Sequence, residues 1–246
     1  MTRMVIPAAC ALALAGALPA QTIAPPVTPP AAPAAQPGPA ALRLARAYLP
    51  VEKTIELARA SFRHEFARSF DATPQSVALE RRFPGVRAAA QAAGEQALAN
   101  IYRARMPAVQ QRVAAFAAAN FSEAESNAVS AFIESPAGRR LLDAQTADST
   151  LPRKVAEQMR TTGKAVVTQA DLATAVDPQT IATMPEAQLR ATIAFMATPA
   201  AVKFNARGAE LAQLVADETT AMVKAEQPRI TQAIQAGVAA HVNGGK

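Results

Sequence analysis

The apolar residues of this chain lie in stretches with helical spacing, and prolines separate those stretches. After residue 40, ten prolines and eight glycines divide segments rich in Ala, Leu, Gln, Glu and Arg, which favour helices. No sustained alternation of apolar and polar residues occurs, so we predict no sheet. Proline fits the first turn of a helix, where its missing N–H costs nothing, so most of the predicted helices start at or next to a proline. The pattern predicts an all-α fold, a helical bundle of about seven to nine helices.

The positions of the prolines place the individual helices. The predicted helices cover about 41–48, 51–69, 85–105, 107–119, 122–134, 136 onward, 152–175, 185–196 and 199–241. Alanine occupies 63 positions, and such small side chains let helices approach closely while each buries little apolar area. We therefore expect the few large residues to anchor the core. These are Phe62, Phe66, Tyr102, Phe116, Phe121, Phe132, Ile133, Leu141, Leu142, Phe195, Met196 and Phe204.

Two stretches of the chain, about 121–142 and 184–205, repeat each other at an offset of 63 residues. The shared core reads Phe, a hydrophobic residue, any residue, Ser or Thr, Pro and Ala, and it begins at Phe132 and at Phe195. A helix leads into this core in both stretches. The match predicts an internal duplication of one structural unit.

The residues of the first stretch indicate how such a unit folds. Ser122 and Glu125 have the spacing of a capping box, in which each side chain binds the backbone N–H of the other residue at a helix start. Ala128, Phe132 and Ile133 have helical spacing, and we expect them to face inward. This helix should run up to the proline that follows it.

A corner between two helices is predicted at each proline of the repeat. Proline disfavours the α conformation in the preceding residue, so the first helix ends there. The Ser or Thr then caps a second helix that has proline at its first position. Each repeat is thus a helix–corner–helix unit, and two units can pack with pseudo-twofold symmetry. The residues of the motif are Phe121, Ser122, Glu125, Phe132, Ser135, Pro136, Gly138, Phe195, Thr198 and Pro199.

The N-terminal forty residues differ from the rest of the chain. Residues 1–20 have one positive charge, Arg3, then an apolar stretch and the end Leu-Pro-Ala, which is the layout of a cleaved signal peptide. Residues 21–40 contain seven prolines among alanines and form a predicted linker before a helical domain over 41–246. The one cysteine, Cys10, lies in the signal region, so we expect no disulfide in the mature protein.

The motif of the first stretch resembles the bacterial domain-of-unknown-function family 2059. That family typically reads Phe-[Ser/Thr]-x-x-Glu, then a helix, then Phe-Tyr-x-Ser-Pro-x-Gly and a basic residue before two leucines. This chain has Ile133 where tyrosine is common, and its second stretch has Ala201 where glycine is expected. The resemblance implies an exported, mainly helical bacterial protein and implies no particular activity.

The positive net charge of the chain favours some classes of binding partner over others. The chain has 246 residues and a net charge of +6, and 19 of its 25 cationic residues are arginine. Export argues against a nucleic-acid partner and favours anionic lipid headgroups or cell-wall carboxylates. The candidate contacts are Arg139, Arg140, Arg153 and Lys154. Solvated helix faces explain the same arginines without any ligand. No segment after residue 20 has enough apolar residues to span a membrane.

Two polar residues deserve comparison with known catalytic patterns. His64-Glu65 begins a zinc-protease motif, but Arg68 stands where the second histidine is required. Glu134 precedes Ser135 at a helix end, as in helical cell-wall hydrolases that use a glutamate of raised pKa as general acid. The glycine-rich continuation of that pattern is absent. We therefore predict no catalytic, metal or cofactor-binding residue.

The sequence thus predicts a non-enzymatic, periplasmic binding or interaction protein without cofactor. Its partner is an unknown protein or an anionic envelope component. Two alternatives stay open: a chaperone-like holder of exported chains and a cell-wall hydrolase that uses Glu134.

Overall fold

The structure, a computed structural model, describes residues 36–147, 158, 161, 166–168, 170–171 and 178–244. Helices dominate this part of the chain, and it contains no strand. The all-α bundle predicted from the sequence is therefore confirmed. The predicted signal peptide, the linker up to residue 35 and most of the predicted helix over 152–175 lie outside the described residues.

The helices begin and end close to the prolines. In chain order they are α1 (Pro39–Tyr48), α2 (Val51–Ala72), α3 (Pro74–Arg82), α4 (Val86–Asn120), α5 (Glu123–Glu134), α6 (Pro136–Ala147), α7 (Pro178–Ala182), α8 (Glu186–Met196) and α9 (Pro199–Gly244). The predicted count of seven to nine is met within the described ranges. Proline stands at the first position of α1, α3, α6, α7 and α9, where its missing N–H costs nothing.

Three helix assignments differ from the prediction. A helix boundary was expected at Pro107, but α4 is one helix of 35 residues that runs through this proline. Pro107 is exposed, so the carbonyl that loses its N–H partner in the preceding turn can bind water. The sequence analysis also assigned no helix to α3 or α7. Both are short, and short helices lack the long apolar period on which the prediction depended.

Residue contacts divide the chain into two compact units. In the described residues, the first unit comprises 49–109 and 215–244, and the second comprises 36–48 and the described part of 110–214. The divisions fall inside α4 and inside α9. Each unit is therefore built from segments that are distant in sequence.

The first unit shows how alanine-rich helices pack. A Cβ atom at Gly237 of α9 would lie 2.7 Å from the Ala93 Cβ and 3.0 Å from the Ala89 carbonyl oxygen. Only a hydrogen fits between these two backbones, as expected for closely approaching helices. Ile55 and Met106 supply larger buried side chains in this unit, and such side chains account for most of the apolar area that an alanine core buries.

A buried ion network also belongs to the first unit. The Glu226 carboxylate is only 6% exposed, and it accepts hydrogen bonds from Arg105 Nη2 at 2.7 Å and from Arg229 Nη1 at 3.0 Å. These hydrogen bonds hold the pKa of Glu226 below its usual value. A buried charge needs such partners, because an unpaired one would lose its hydration without compensation.

The second unit is centred on helix α5, which α1 covers. The buried residues of α5 are Ser126, Val129, Ser130 and Ile133. Leu44 and Ala45 of α1 are fully buried in the same unit. This unit contains both predicted repeats in full, α5–α6 as the first and α8 with the start of α9 as the second.

Candidate functional site

The start of α5 has the capping box that the sequence predicts. Ser122 Oγ accepts a hydrogen bond from the Glu125 N–H at 3.2 Å, and the Ser122 N–H donates to Glu125 Oε2 at 2.7 Å. Lys203 Nζ, from the second repeat, donates to the same carboxylate at 2.9 Å. The Ser122 N–H and then Lys203 hold the pKa of Glu125 below its usual value. One carboxylate thus fixes a helix start and links it to the other repeat.

The first corner is closed by hydrogen bonds around Ser135. Its N–H and its hydroxyl donate to the Phe132 carbonyl at 3.0 and 2.6 Å. The Ser135 oxygens then accept from the next helix: Oγ from the Gly138 N–H at 3.1 Å, and the carbonyl from the Arg139 N–H at 2.9 Å. The serine therefore joins the last turn of α5 to the first turn of α6.

The second corner has the same four hydrogen bonds. The Thr198 N–H and hydroxyl donate to the Phe195 carbonyl at 2.8 and 2.7 Å. Thr198 Oγ1 accepts from the Ala201 N–H at 3.2 Å, and its carbonyl accepts from the Val202 N–H at 3.1 Å. Each bonded atom belongs to a residue 63 positions after the residue that makes the equivalent bond in the first corner. Sequence matching and local geometry therefore align the two stretches in one register.

The space around the third residue after the Ser or Thr differs between the corners. A Cβ atom at Gly138 would lie 2.0 Å from the Phe132 carbonyl oxygen, which is too close for any side chain. The second repeat has Ala201 at the corresponding position, and this alanine is fully buried. The first corner is therefore the tighter of the two and requires glycine.

The two stretches contact each other around one pair of counterpart residues. The rings of Phe132 and Phe195 stack, with 4.0 Å between their centroids and an angle of 6° between their planes. Lys203 reaches Glu125 of the first repeat, and Arg140 of the first repeat donates to Thr183, just before the second, at 3.0 Å. The stacked phenylalanines are counterparts, as a pseudo-twofold arrangement requires, but the flanking contacts are not reciprocal, because the counterpart of Glu125 is Gln188 and not Thr183.

The inward face of α5 differs from the predicted one. Ala128 was expected to face inward, but it is exposed. The buried stripe contains Ser126, Val129 and Ser130 instead. Two of these are serines, and a serine in the sequence does not signal a buried position. Ser130 Oγ donates to the Ser126 carbonyl at 2.7 Å, and this bond allows the hydroxyl to be buried.

Helix α8 has no buried residue, although the sequence analysis placed Met196 in the core. Met196 is 47% exposed and Ile193 is 61% exposed. Leu189 and Thr192 are half-buried. These four residues have the spacing of one helix face. We name them the open face of α8.

Glu134 lacks the environment of a general acid. Its carboxylate is partly exposed, and it accepts two hydrogen bonds from Arg43, with Nη2–Oε2 at 2.6 Å and Nε–Oε1 at 3.2 Å. These bonds from Arg43 hold the pKa of Glu134 below its usual value. A general acid needs the opposite shift. The sequence analysis missed Arg43, which lies 91 residues away along the chain.

The predicted anionic-contact residues are placed only in part. Arg139 is exposed and Arg140 is half-buried against Thr183, while Arg153 and Lys154 lie outside the described residues. Two arginines outside this predicted set are paired with carboxylates. Arg103 Nη2 lies 3.0 Å from Glu52 Oε2, and Arg105 belongs to the Glu226 network.

The histidines form no metal site in the described part of the chain. His64 is exposed, and the Nε2 atom of His241 donates to the Pro84 carbonyl at 2.9 Å. Residues 36–147 and 178–244, with the few described between them, contain no group of three His, Cys, Asp or Glu side chains arranged for a metal ion. In the same residues no helix combines the length and apolar content needed to cross a bilayer.

Comparisons of the chain with protein-family models, with curated proteins and with solved structures find no match.

Proposed function

We propose that this chain is a non-enzymatic protein-interaction module of the bacterial envelope. The signal-peptide layout of residues 1–20 supports export to the periplasm. The resemblance of 121–142 to the domain-of-unknown-function family 2059 supports the same compartment. We propose further that the chain belongs to that family and that its two helix–corner–helix units arose by duplication.

The open face of α8 carries this proposal. Single exposed apolar residues are common on protein surfaces, but a run of them along one helix face is typical of a binding surface. Ile193 and Met196 lie four and seven positions after Leu189 on that face, and both are largely accessible. A partner that covered them would remove apolar area from water, which is the main favourable term in protein association.

The same face leaves room for the chaperone-like alternative, because an exposed methionine adapts to many apolar segments. A holder of exported chains should bind unfolded proteins of unrelated sequence. An interaction module should bind a small and fixed set of partners. The Arg43–Glu134 ion pair speaks against the cell-wall hydrolase, because it stabilises the ionised carboxylate.

Affinity capture from envelopes tests the proposal. The tagged chain, expressed from its full sequence, is captured with its bound proteins and compared with an Ile193→Asp/Met196→Asp variant. An Ala191→Asp/Ala194→Asp variant is the control, since it adds the same two charges at exposed positions of the same helix. We expect a discrete set of partners with the wild type and the control, and their loss with the first variant. Partners bound equally by all three chains would overturn the proposal.

The chaperone-like alternative is tested with the same purified proteins in an aggregation assay. Substoichiometric suppression of the aggregation of an unfolded, unrelated protein, lost in Ile193→Asp/Met196→Asp, would replace the interaction module with a holder.

A further inference from the structure

The two first helices of the repeats, α5 and α8, can be compared residue by residue. Both end in corners with the same four hydrogen bonds, at positions 63 residues apart. Because both are helices in the same register to their corners, counterpart side chains leave them in the same direction. The stacked pair Phe132 and Phe195 confirms this for the side that faces the other repeat.

On α5, another side of the helix is covered by α1. The buried residues of α5 are Ser126, Val129, Ser130 and Ile133. Their counterparts on α8 are Leu189, Thr192, Ile193 and Met196. The open face of α8 is thus the counterpart of the α5 face that holds a helix.

The open face is more apolar than the face that α1 covers. Leucine and isoleucine stand on α8 where α5 has two serines, methionine replaces isoleucine, and threonine replaces valine. Burial of a Leu or Ile side chain is worth about 1.5–3 kcal/mol relative to exposure. The face of α8 therefore offers an incoming helix more apolar area per residue than the occupied face of α5.

We infer that the open face of α8 binds an amphipathic helix of a partner protein, as α5 binds α1. This inference rests on the proposed function and specifies the class of partner. The partner helix should present alanine and leucine at the spacing of Ala41, Leu44 and Ala45, which are the buried residues of α1 together with Ala40. Small residues at two of these positions leave room for the Leu189 and Ile193 side chains, which stand where α5 has serines.

The partner needs no arginine in the place of Arg43. On α5, Arg43 of α1 pairs with Glu134, but the counterpart of Glu134 is Ala197. The contact on α8 is therefore expected to depend on apolar area and to change little with salt. This distinguishes it from a contact between the arginine clusters and an anionic partner.

A synthetic peptide with the sequence of residues 36–50 serves as the probe. Its binding to the full chain is measured by fluorescence anisotropy for the wild type, Ile193→Asp and Ala191→Asp. We expect Ile193→Asp to weaken binding by about tenfold or more, a loss of about 1.4 kcal/mol per factor of ten, and Ala191→Asp to leave it unchanged. A photoreactive residue at position 193 should crosslink to the peptide, and one at position 191 should not. Unchanged thermal midpoints of both variants exclude unfolding as the cause.

Two results would overturn the inference. In the first, the peptide does not bind, or binds wild type and Ile193→Asp equally. In the second, sedimentation velocity shows that the chain self-associates through Ile193, so that a second copy is the occupant. If envelope partners depend on Ile193 while the peptide fails, the interaction module stands and only the helical partner class falls. If no envelope partner is captured, the proposed function itself falls.

Discussion

At Gly138 the choice between a hydrogen atom and a methyl group decides whether the first corner can close. A Cβ atom there would lie 2.0 Å from the Phe132 carbonyl oxygen, and that carbonyl already accepts two hydrogen bonds from Ser135. We expect Gly138→Ala to lower the free energy of unfolding by about 2–3 kcal/mol, the upper part of the range for overpacking. Urea denaturation of the wild type and the variant measures this difference.

The second corner supplies the matched control. Ala201→Gly changes the counterpart residue in the opposite direction, and it costs the helix propensity of glycine, about 1 kcal/mol, and the burial of one methyl group, about 0.8 kcal/mol. The tight-corner explanation fails if Gly138→Ala unfolds at the same urea concentration as the wild type.

The Glu226 carboxylate makes stability depend on pH. Its folded-state pKa is held below the ordinary value of 4.5 by hydrogen bonds from Arg105 and Arg229. A lowered folded pKa contributes stability that is complete above the unfolded-state pKa and is lost as the pH falls through the folded-state value. We therefore expect Glu226→Gln to be less stable than the wild type at pH 7. The difference in the free energy of unfolding should shrink toward zero as the pH falls through the folded-state pKa of Glu226.

The midpoints of thermal unfolding of the wild type and Glu226→Gln are measured from pH 7 down to pH 3, which gives one curve of stability against pH for each protein. Glu56→Gln is the control, because Glu56 is exposed and its distance to Lys53 is 3.9 Å. A surface pair of this kind contributes about 0–1 kcal/mol. Parallel curves for Glu226→Gln and the wild type across this range would contradict the assigned role of Glu226.

Among the helices, α4 contains the clearest conflict between local preference and observed structure. Pro107 stands inside a helix of 35 residues and is exposed. Proline removes one backbone hydrogen bond there and costs about 3 kcal/mol relative to alanine in a helix interior. We expect Pro107→Ala to raise the free energy of unfolding by about 1–3 kcal/mol, since proline also restricts the unfolded chain.

Pro136→Ala tests whether position within the helix is the cause. Pro136 is exposed and is the first residue of α6, where its missing N–H has no partner in any case. Circular dichroism during denaturation should show a change of less than about 0.5 kcal/mol for this variant. Equal changes in the free energy of unfolding for the two substitutions would mean that Pro107 does not destabilise the interior of α4.

The sequence predicts the elements better than their partners, and α5 shows why. Its start, its capping box and its corner depend on residues within four positions of each other, so local patterns reveal them. Its burial depends on α1, and the Arg43–Glu134 pair joins residues 91 positions apart. No local pattern contains that information. Met196 was misplaced in the core for the same reason: its side chain fits a buried stripe, but what covers it is decided elsewhere in the fold.

Across the whole molecule, ion pairs engage many of the arginines, while the net excess of six cations remains, because it already subtracts every acidic residue. A net charge of +6 suggests an anion-binding surface. Many described arginines nevertheless have a carboxylate within salt-bridge distance. These pairs include Arg43–Glu134, Arg63–Glu95, Arg87–Asp71, Arg103–Glu52, Arg105–Glu226 and Arg207–Glu210. Each carboxylate cancels the field of its arginine beyond a few ångströms.

This pairing leads to a prediction about anionic surfaces. We expect the full chain not to co-sediment with vesicles of anionic phospholipid or with purified cell-wall sacculi at about 0.15 M salt, where unpaired charges are screened beyond about 8 Å. Glu52→Gln removes the partner of Arg103 and should increase vesicle binding at low salt. Wild-type binding at about 0.15 M salt that is lost only at higher salt would contradict the prediction. It would also move the proposed partner from a protein to an anionic envelope component, because apolar contact at the open face of α8 does not weaken with salt.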